Sequence, residues 1–273
     1  MKRLFALLMA LLLLTGCKAG IPSSPSAQVI PEETPREIAE EIHKQYDIQV
    51  LTGEAAAASA PWDYTLIPQT ENGEICSGLA EIRSCLALYP KGMIQVLSRD
   101  AGGLRFCLLK EIRGKEGTGS VPTAKGLQFR DPEGHCILAL SSDLTYTLCH
   151  ELCHVIEDFA VTRSSGWENW EQLNPEGFSY DLDFQKNLLR DPALYLTGDQ
   201  RAFIDTYSMS FPREDRARIM EYAMNPGNAP YFESPIMQKK LTCLSEGIRK
   251  AFGLEKTTQD LPWEQYLRSK KGR

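Results

Sequence analysis

The chain has 273 residues, of which 42% are apolar and 24% are charged, and its 36 acidic and 30 basic residues give a net charge of −6. An acidic chain without a run of Lys and Arg lacks the positive surface that nucleic-acid binding requires, so we expect no nucleic-acid partner. Some 238 residues remain from Arg36 onward, enough for one domain or two closely packed subdomains.

The N-terminus has the pattern of an export signal. Two basic residues, Lys2 and Arg3, precede an apolar run from Leu4 to Leu14 that is too short to span a bilayer. The sequence Leu-Thr-Gly-Cys at residues 14–17 resembles the bacterial lipobox, in which Cys17 would be lipidated and become the first mature residue. The alternative is an ordinary signal peptide with an incidental cysteine.

We therefore expect residues 1–16 to be a lipoprotein signal peptide. Its removal would take the net charge to about −8. Residues 17–35, rich in Pro, Ser and Ala, are predicted to be a flexible linker. The lipid on Cys17 would then hold the protein on the outer face of the bacterial cytoplasmic membrane.

The spacing of apolar residues gives a coarse order of elements. It predicts helices at Pro35–Tyr46 and Gly73–Leu88, a strand at Leu104–Ile112 that is broken by glycines at 114–119, and a second strand at 135–140. Side chains of residues 141–143, Ser-Ser-Asp, are expected to cap a helix that ends near Phe159. After it we expect helices only, near 168–173, 199–206, 213–224, 233–252 and 262–269. The order indicates an α+β fold, with an α/β subdomain at 36–160 and a helical subdomain at 161–273.

The helix after Asp143 carries the most informative motif, His-Glu-Leu-Cys-His at residues 150–154. His150 and His154 lie one turn apart and can bind one cation, and Glu151 is close enough to take a proton from an activated water molecule. We expect a zinc site here, with Glu151 as general base. The alternative is a solvated helix with two surface histidines. The opposite face of the helix is an apolar stripe formed by Leu144, Leu148, Leu152, Val155 and Phe159.

A catalytic zinc site needs a third protein ligand and one open position. No histidine follows His154, so an acidic residue must serve. Glu176 follows His154 by twenty-two residues in a turn-forming context, and Glu214 follows it by sixty residues beside an inward-facing apolar stripe of Ala217, Met220 and Met224. Both candidates remain open on spacing alone.

Seven cysteines remain after Cys17, so at least one is unpaired even if the exported compartment permits disulfides. Cys149 and Cys153 stand beside the histidines and could close a structural zinc site. However, the cysteine pair points about 100° away from the histidine pair around the helix. We expect both cysteines to be small buried packing residues.

The sequence Tyr-Ser-Met-Ser-Phe-Pro-Arg-Glu-Asp at residues 207–215 resembles the C-terminal signature of lethal-factor-type gluzincins. That group includes the anthrax lethal factor catalytic domain and the secreted Pro-Pro endopeptidases, in which a tyrosine lies seven residues before the glutamate ligand. The resemblance implies a zincin-like fold, Glu214 as the third ligand with His150 and His154, Glu151 as base, and Tyr207 as hydrogen-bond donor to the oxyanion. It also implies that the strand at 135–140 is the sheet edge along which substrate lies.

One position departs from that signature, because Arg218 stands where the family usually has a second acid that supports the ligands. Asp158 could orient a histidine, but we expect it to be a solvated acid at the end of the helix. We expect Trp167 and Trp170 to be core residues rather than to line a cleft.

Together these patterns predict a monomeric zinc metalloendopeptidase that hydrolyses extracellular or cell-surface peptides and proteins. The alternative is a catalytically silent zinc-binding scaffold or binding lipoprotein. An intact Glu151 argues against the silent form.

Overall fold

A computed structural model of the protein describes residues 33–163, 167–257 and 259–267. The predicted signal peptide, Cys17 and all of the predicted linker except residues 33–35 lie outside these ranges. The described residues form one compact unit, and the division at residue 160 stays a prediction about organisation within it. Within the described ranges, every helix is too short or too polar to cross a membrane.

A six-stranded mixed sheet is built around one long central strand, β3. Two parallel neighbours flank its first half, β1 on one side and β6 on the other, and β5 then runs antiparallel to β6 at the edge. The second half of β3 pairs antiparallel with β2 and β4. The strands are β1 (Ile48–Leu51), β2 (Tyr64–Pro68), β3 (Leu104–Gly114), β4 (Thr123–Ala124), β5 (Gly126–Arg130) and β6 (Cys136–Leu140).

The implied role of strand 135–140 as the sheet edge is therefore wrong. That strand is β6, with β3 on one side and β5 on the other. The edge is β5, which forms a hairpin with β6 through the turn at residues 131–135. Its short sequence, Gly-Leu-Gln-Phe-Arg, follows the glycine-rich stretch at 114–119, and no strand was predicted for it.

In the described part of the chain, five helices accompany the sheet and four follow it. The first five are α1 (Pro35–Tyr46), α2 (Glu54–Ala57), α3 (Asn72–Leu86), α4 (Met93–Asp100) and α5 (Leu144–Val161). The later ones are α6 (Phe184–Leu188), α7 (Pro192–Tyr195), α8 (Pro212–Met224) and α9 (Pro235–Ala251). Short 3-10 turns lie at Trp170–Leu173, Gly198–Gln200, Tyr207–Met209, Ala229–Phe232 and Pro262–Glu264.

This order confirms the predicted zincin-like α+β class, a small mixed sheet with helices beyond it. Within the described ranges every strand precedes α5, and only helices follow it. The predicted helices at 168–173, 199–206 and 262–269 are wrong as α-helices, because the described residues of those segments contain only 3-10 turns of three or four residues. Ala202 and Phe203 are buried, but they pack from an irregular segment.

The predicted capping of α5 is also wrong. Asp143 is the N-cap residue, but its backbone is left-handed (φ 47°) and its side chain makes no capping hydrogen bond. The Asp143 carboxylate pairs instead with Lys125, which lies just before β5. The start of the motif helix is thus tied to the edge of the sheet.

The core follows from the alternation of side chains along β3. Leu104, Phe106 and Leu108 point to the main cluster of helices, whereas Cys107 and Leu109 point to a smaller cluster under α2 and β2. Helix α5 packs between the sheet, α3, α8 and α9, so nearly all of its residues are buried. A polar motif in such a helix must find its partners inside the protein.

Helix α8 brings buried charges into this core. Asp215 and Lys240 are fully buried and form an ion pair of 2.7 Å between Oδ2 and Nζ. The same Asp215 oxygen accepts hydrogen bonds from Trp170 Nε1 (3.0 Å) and the Tyr180 hydroxyl (2.7 Å). Asp215 is the residue directly after Glu214. Its contacts hold this part of α8 against α9 and the segment around Trp170.

Removing one member of this pair should be costly. Lys240→Met keeps most of the side-chain volume but leaves the Asp215 charge without its cation, which typically costs about 3–5 kcal/mol. The expected fall in Tm is roughly 10 °C, measured by circular dichroism or calorimetry. Lys239→Met, at the exposed neighbouring position, is the matched control and should change stability by no more than about 0.5 kcal/mol. Equal Tm values for the two variants would contradict the structural role of the pair.

Candidate metal centre

The structure brings the two motif histidines together with Glu214. His150 Nε2 lies 3.1 Å from Glu214 Oε2, and His154 Nε2 lies 3.6 Å from the same oxygen. The histidines come from α5 and the glutamate from the first turn of α8. Among the described residues these three form a group that could hold a metal ion. Glu176 lies instead in an exposed turn outside this group.

The donor set fits zinc. Bonds of about 2.0–2.1 Å in a tetrahedral site put neighbouring ligand atoms about 3.3 Å apart. The observed separations of 3.1 and 3.6 Å bracket that value. Two imidazole nitrogens and one carboxylate oxygen are the ligand types of a catalytic zinc site, and three protein ligands leave one position open.

Electrostatics at the site favour a bound cation. Burial opposes protonation of His150, but hydrogen bonds to Glu214 and Glu221 outweigh it and raise the pKa of His150 to about 10. Burial acts against ionisation of Glu214, yet its hydrogen bonds to His150 and His154 hold the pKa of Glu214 far below its usual range. A metal ligand must be the neutral imidazole, so binding of a metal ion by His150 would be coupled to release of a proton.

Glu221, which was not predicted from the sequence, contacts the ring nitrogen of His150 that faces away from Glu214. Glu221 Oε2 lies 3.1 Å from His150 Nδ1, so the ring nitrogen facing away from Glu214 has a carboxylate partner. Arg218 holds that carboxylate at 2.5 Å and is itself paired with Asp205. The acid absent at position 218 is thus supplied at position 221, two helical turns after Glu214 on the same face of α8. This spacing was the available signal.

His154 has a different neighbour, Arg213. Its Nε donates to His154 Nδ1 at 3.2 Å, and its Nη2 donates to the His154 carbonyl oxygen at 3.3 Å. The same guanidinium donates to Asp158 Oδ1 at 2.6 Å and to Gln128 Oε1, on the edge strand β5, at 3.0 Å. Asp158 is 43% exposed and reaches the histidine only through Arg213, so it does not orient the ring directly.

A cleft of about 270 Å³ opens beside the motif, between β4, the start of β5, α5 and the Tyr207 segment. His150 and Glu151 line it. The backbone of Gly126 passes so close to Glu151 that an added Cβ would stand 2.6 Å from Glu151 Oε1 and 2.5 Å from Thr147 Cγ2. Glycine at this position allows the edge strand to approach the predicted general base. Burial raises the pKa of Glu151, and the two histidines oppose that shift.

Tyr207 lies at the mouth of this cleft. Its ring centroid is 6.3 Å from that of His150, and its side chain is 42% exposed. The hydroxyl forms a hydrogen bond with Glu214; burial, followed by the charge of Glu214, raises the pKa of Tyr207. The phenol therefore stays protonated at neutral pH and remains a donor. Its implied role as an oxyanion donor stays a prediction.

The other residues singled out from the sequence lie elsewhere. Cys149 and Cys153 are fully buried packing residues outside the ligand group. Trp167 and Trp170 are core residues.

His135 belongs to a second acidic group, with Asp131 and Glu133, at the β5–β6 turn. Arg105 already occupies the centre of that group, 3.0 Å from Asp131 Oδ2 and 3.2 Å from His135 Nε2. His135 Nδ1 and the His135 backbone amide both contact the Asp131 carboxylate. The group is a hydrogen-bonded turn, with an arginine where a metal ion would sit.

Comparisons with known proteins give little beyond this geometry. No protein-family model matches the chain, and no curated protein matches it. A solved structure from Bacteroides caccae, described as that of a candidate zinc-binding metallo-peptidase, is similar at 16% identity and a TM-score of 0.47, covering 83% of this chain and 94% of that one. So distant a likeness carries no weight for function.

Zinc affinity separates the roles of the three glutamates. Glu214→Ala removes a direct donor and should weaken zinc binding by far more than the roughly 10- to 100-fold expected when an outer partner such as Glu221 is changed to Gln. Glu176→Ala is the control and should bind zinc like the wild type. Competition with a chromogenic chelator measures all three. Loss of affinity in Glu176→Ala with retention in Glu214→Ala would contradict the ligand assignment.

Proposed function

We propose that the protein is a zinc-dependent metalloendopeptidase, a hydrolase that cleaves peptide bonds in extracellular or cell-surface proteins and peptides. The proposal rests on the convergence of His150, His154 and Glu214 on one point, with Glu151 and Tyr207 beside it in an accessible cleft. Ligands, base and donor come from three separate segments of the chain. Such a convergence is what metal-assisted hydrolysis requires.

The roles of the side chains follow from their positions. Zinc, when bound by His150, His154 and Glu214, would supply Lewis-acid activation of water and of the scissile carbonyl. Glu151 accepts the proton of the attacking water on its carboxylate and passes it to the leaving amine. The Tyr207 hydroxyl, which contacts Glu214 in the free protein, turns to donate to the oxyanion of the tetrahedral intermediate. The seven-residue interval between Tyr207 and Glu214 supports an enzyme of the lethal-factor type.

We place the substrate along β5. On one side β5 pairs with β6, and within the described residues no strand pairs with its other side. An extended peptide can add to such an edge through main-chain hydrogen bonds. The approach of Gly126 to Glu151 would bring that peptide backbone to the base.

Substitution of the base tests whether the site is catalytic. Glu151→Gln keeps the shape of the side chain and removes its ability to accept a proton, so zinc binding should persist while peptide cleavage falls by about 10²- to 10⁴-fold. The assay is cleavage of a peptide library by the purified full-length protein, read by mass spectrometry, with zinc content measured in parallel. Wild-type protein that binds one zinc yet cleaves nothing would favour the silent scaffold instead.

Tyr207→Phe tests the oxyanion donor. The substitution keeps the ring beside His150 and deletes only the hydroxyl. If the hydroxyl donates to the oxyanion, kcat should fall by about 10²- to 10³-fold with KM, zinc content and Tm little changed. Wild-type turnover by Tyr207→Phe would assign the ring a packing role only.

We also propose that the enzyme acts as a lipid-anchored protein outside the cytoplasmic membrane. The support is the sequence alone, a short apolar run followed by Leu-Thr-Gly-Cys at residues 14–17.

Cys17→Ser tests the anchor. Firm attachment needs more than one acyl chain, as a single chain binds membranes only marginally. In a bacterial host, wild-type protein should sediment with the membrane fraction and label with radioactive palmitate, whereas Cys17→Ser should do neither. Equal labelling and equal membrane recovery of the two proteins would exclude lipidation at Cys17.

A further inference from the structure

Two buried cysteines face each other behind the metal ligands. Cys85 on α3 and Cys149 on α5 have their sulfur atoms 3.4 Å apart, although sixty-four residues separate them along the chain. Cys85 is 2% exposed and Cys149 is fully buried. Cys149 immediately precedes His150, so this contact joins α3 directly to the motif helix.

The other described cysteines are arranged differently. Cys107 and Cys136 lie on adjacent strands but on opposite faces of the sheet, one in each hydrophobic cluster. Cys153 lies one turn beyond Cys149 on α5.

We propose that Cys85 and Cys149 form a disulfide when the chain folds in an oxidising compartment. A disulfide places its sulfur atoms about 2.05 Å apart, so the two atoms must approach by about 1.4 Å for the bond to form. The predicted export of the chain would place it where such bonds persist. The inference does not depend on peptidase activity.

The reaction requires a disulfide oxidant, for example oxidised glutathione or the disulfide of a thiol oxidase. One cysteine thiolate attacks the oxidant and releases its first thiol, leaving a mixed disulfide on the protein. The second cysteine thiolate then attacks the protein sulfur of that mixed disulfide and releases the second thiol. Two protein thiols thereby lose two electrons and two protons, which leave on the two reduced thiols of the oxidant.

Burial determines when the bond can form. An oxidant cannot reach sulfur atoms between packed helices, so the exchange occurs during folding, before α3 closes on α5, or during rare openings. The bond closes a loop of more than sixty residues and restricts the unfolded chain. By chain-entropy arguments its formation should raise Tm on the order of 10 °C.

The experiment compares full-length protein refolded from denaturant in a glutathione redox buffer with protein refolded in excess reductant. Free thiols are then alkylated under denaturing conditions, and peptides are mapped without reduction. We expect a linked peptide pair containing Cys85 and Cys149 after oxidative refolding, and a Tm roughly 10 °C above that of the reduced protein. Protein that has already folded in reductant should form the link much more slowly.

Two matched variants distinguish loss of this disulfide from a general effect of removing a buried cysteine. Cys149→Ala should abolish the linked peptide and the Tm difference between oxidised and reduced samples. Cys153→Ala, one turn away on the same helix, should retain both. Oxidatively refolded wild type in which Cys85 and Cys149 are both alkylated would overturn the proposal, as would linkage of either residue to a different cysteine. Zinc content, measured on the same samples, reports separately on the proposed function.

Discussion

The metal centre depends on how the charged helix α8 is held against α5. Arg216 forms a bidentate ion pair with Glu157, at 3.1 and 2.5 Å, in the buried interface between the two helices. Asp215 is held from the other side by Lys240. Buried pairs of this kind add little net stability, but a rotated or shifted α8 would leave several charges without partners. That penalty fixes the register of α8 and so directs Glu214 at the histidines.

The two histidines receive unlike support, and this asymmetry affects metal binding. Glu221 accepts the Nδ1 proton of His150, which leaves Nε2 directed at Glu214 and suits a metal ligand. At His154 the Arg213 Nε–H donates to Nδ1, so a neutral ring carries its proton on Nε2, the nitrogen that faces Glu214. Coordination of a metal ion through His154 Nε2 requires this nitrogen to lose its proton and the contact between Arg213 and His154 Nδ1 to rearrange. Binding of a metal ion would therefore involve a local rearrangement that reaches Gln128 on the edge strand β5 through Arg213.

Local patterns predicted the parts of the site that lie on one regular helix. The spacing of His150, Glu151 and His154 gave their common face, and the sixty-residue interval to Glu214 was interpretable only through a resemblance. Tertiary contacts decided the rest. Strand β5 has too few apolar residues to be predicted as a strand from its sequence. The need for glycine at position 126 follows from the Glu151 side chain packed against it, which the sequence does not show. The spacing of Glu221 on α8 places it on the same face as Glu214, but its contacts with His150 and Arg218 depend on how α8 packs against α5 and could not be read from spacing alone.

The central claim is that one zinc ion binds to two imidazoles and a carboxylate, with no thiolate, despite two cysteines within the motif helix. X-ray absorption at the zinc edge, on full-length protein loaded with one equivalent of zinc, measures this directly. The expected spectrum has nitrogen and oxygen neighbours only, at about 2.0–2.1 Å, with the outer-shell scattering of two imidazole rings. A sulfur shell at about 2.3 Å would show cysteine ligation and contradict the assignment of a catalytic site to His150, His154 and Glu214.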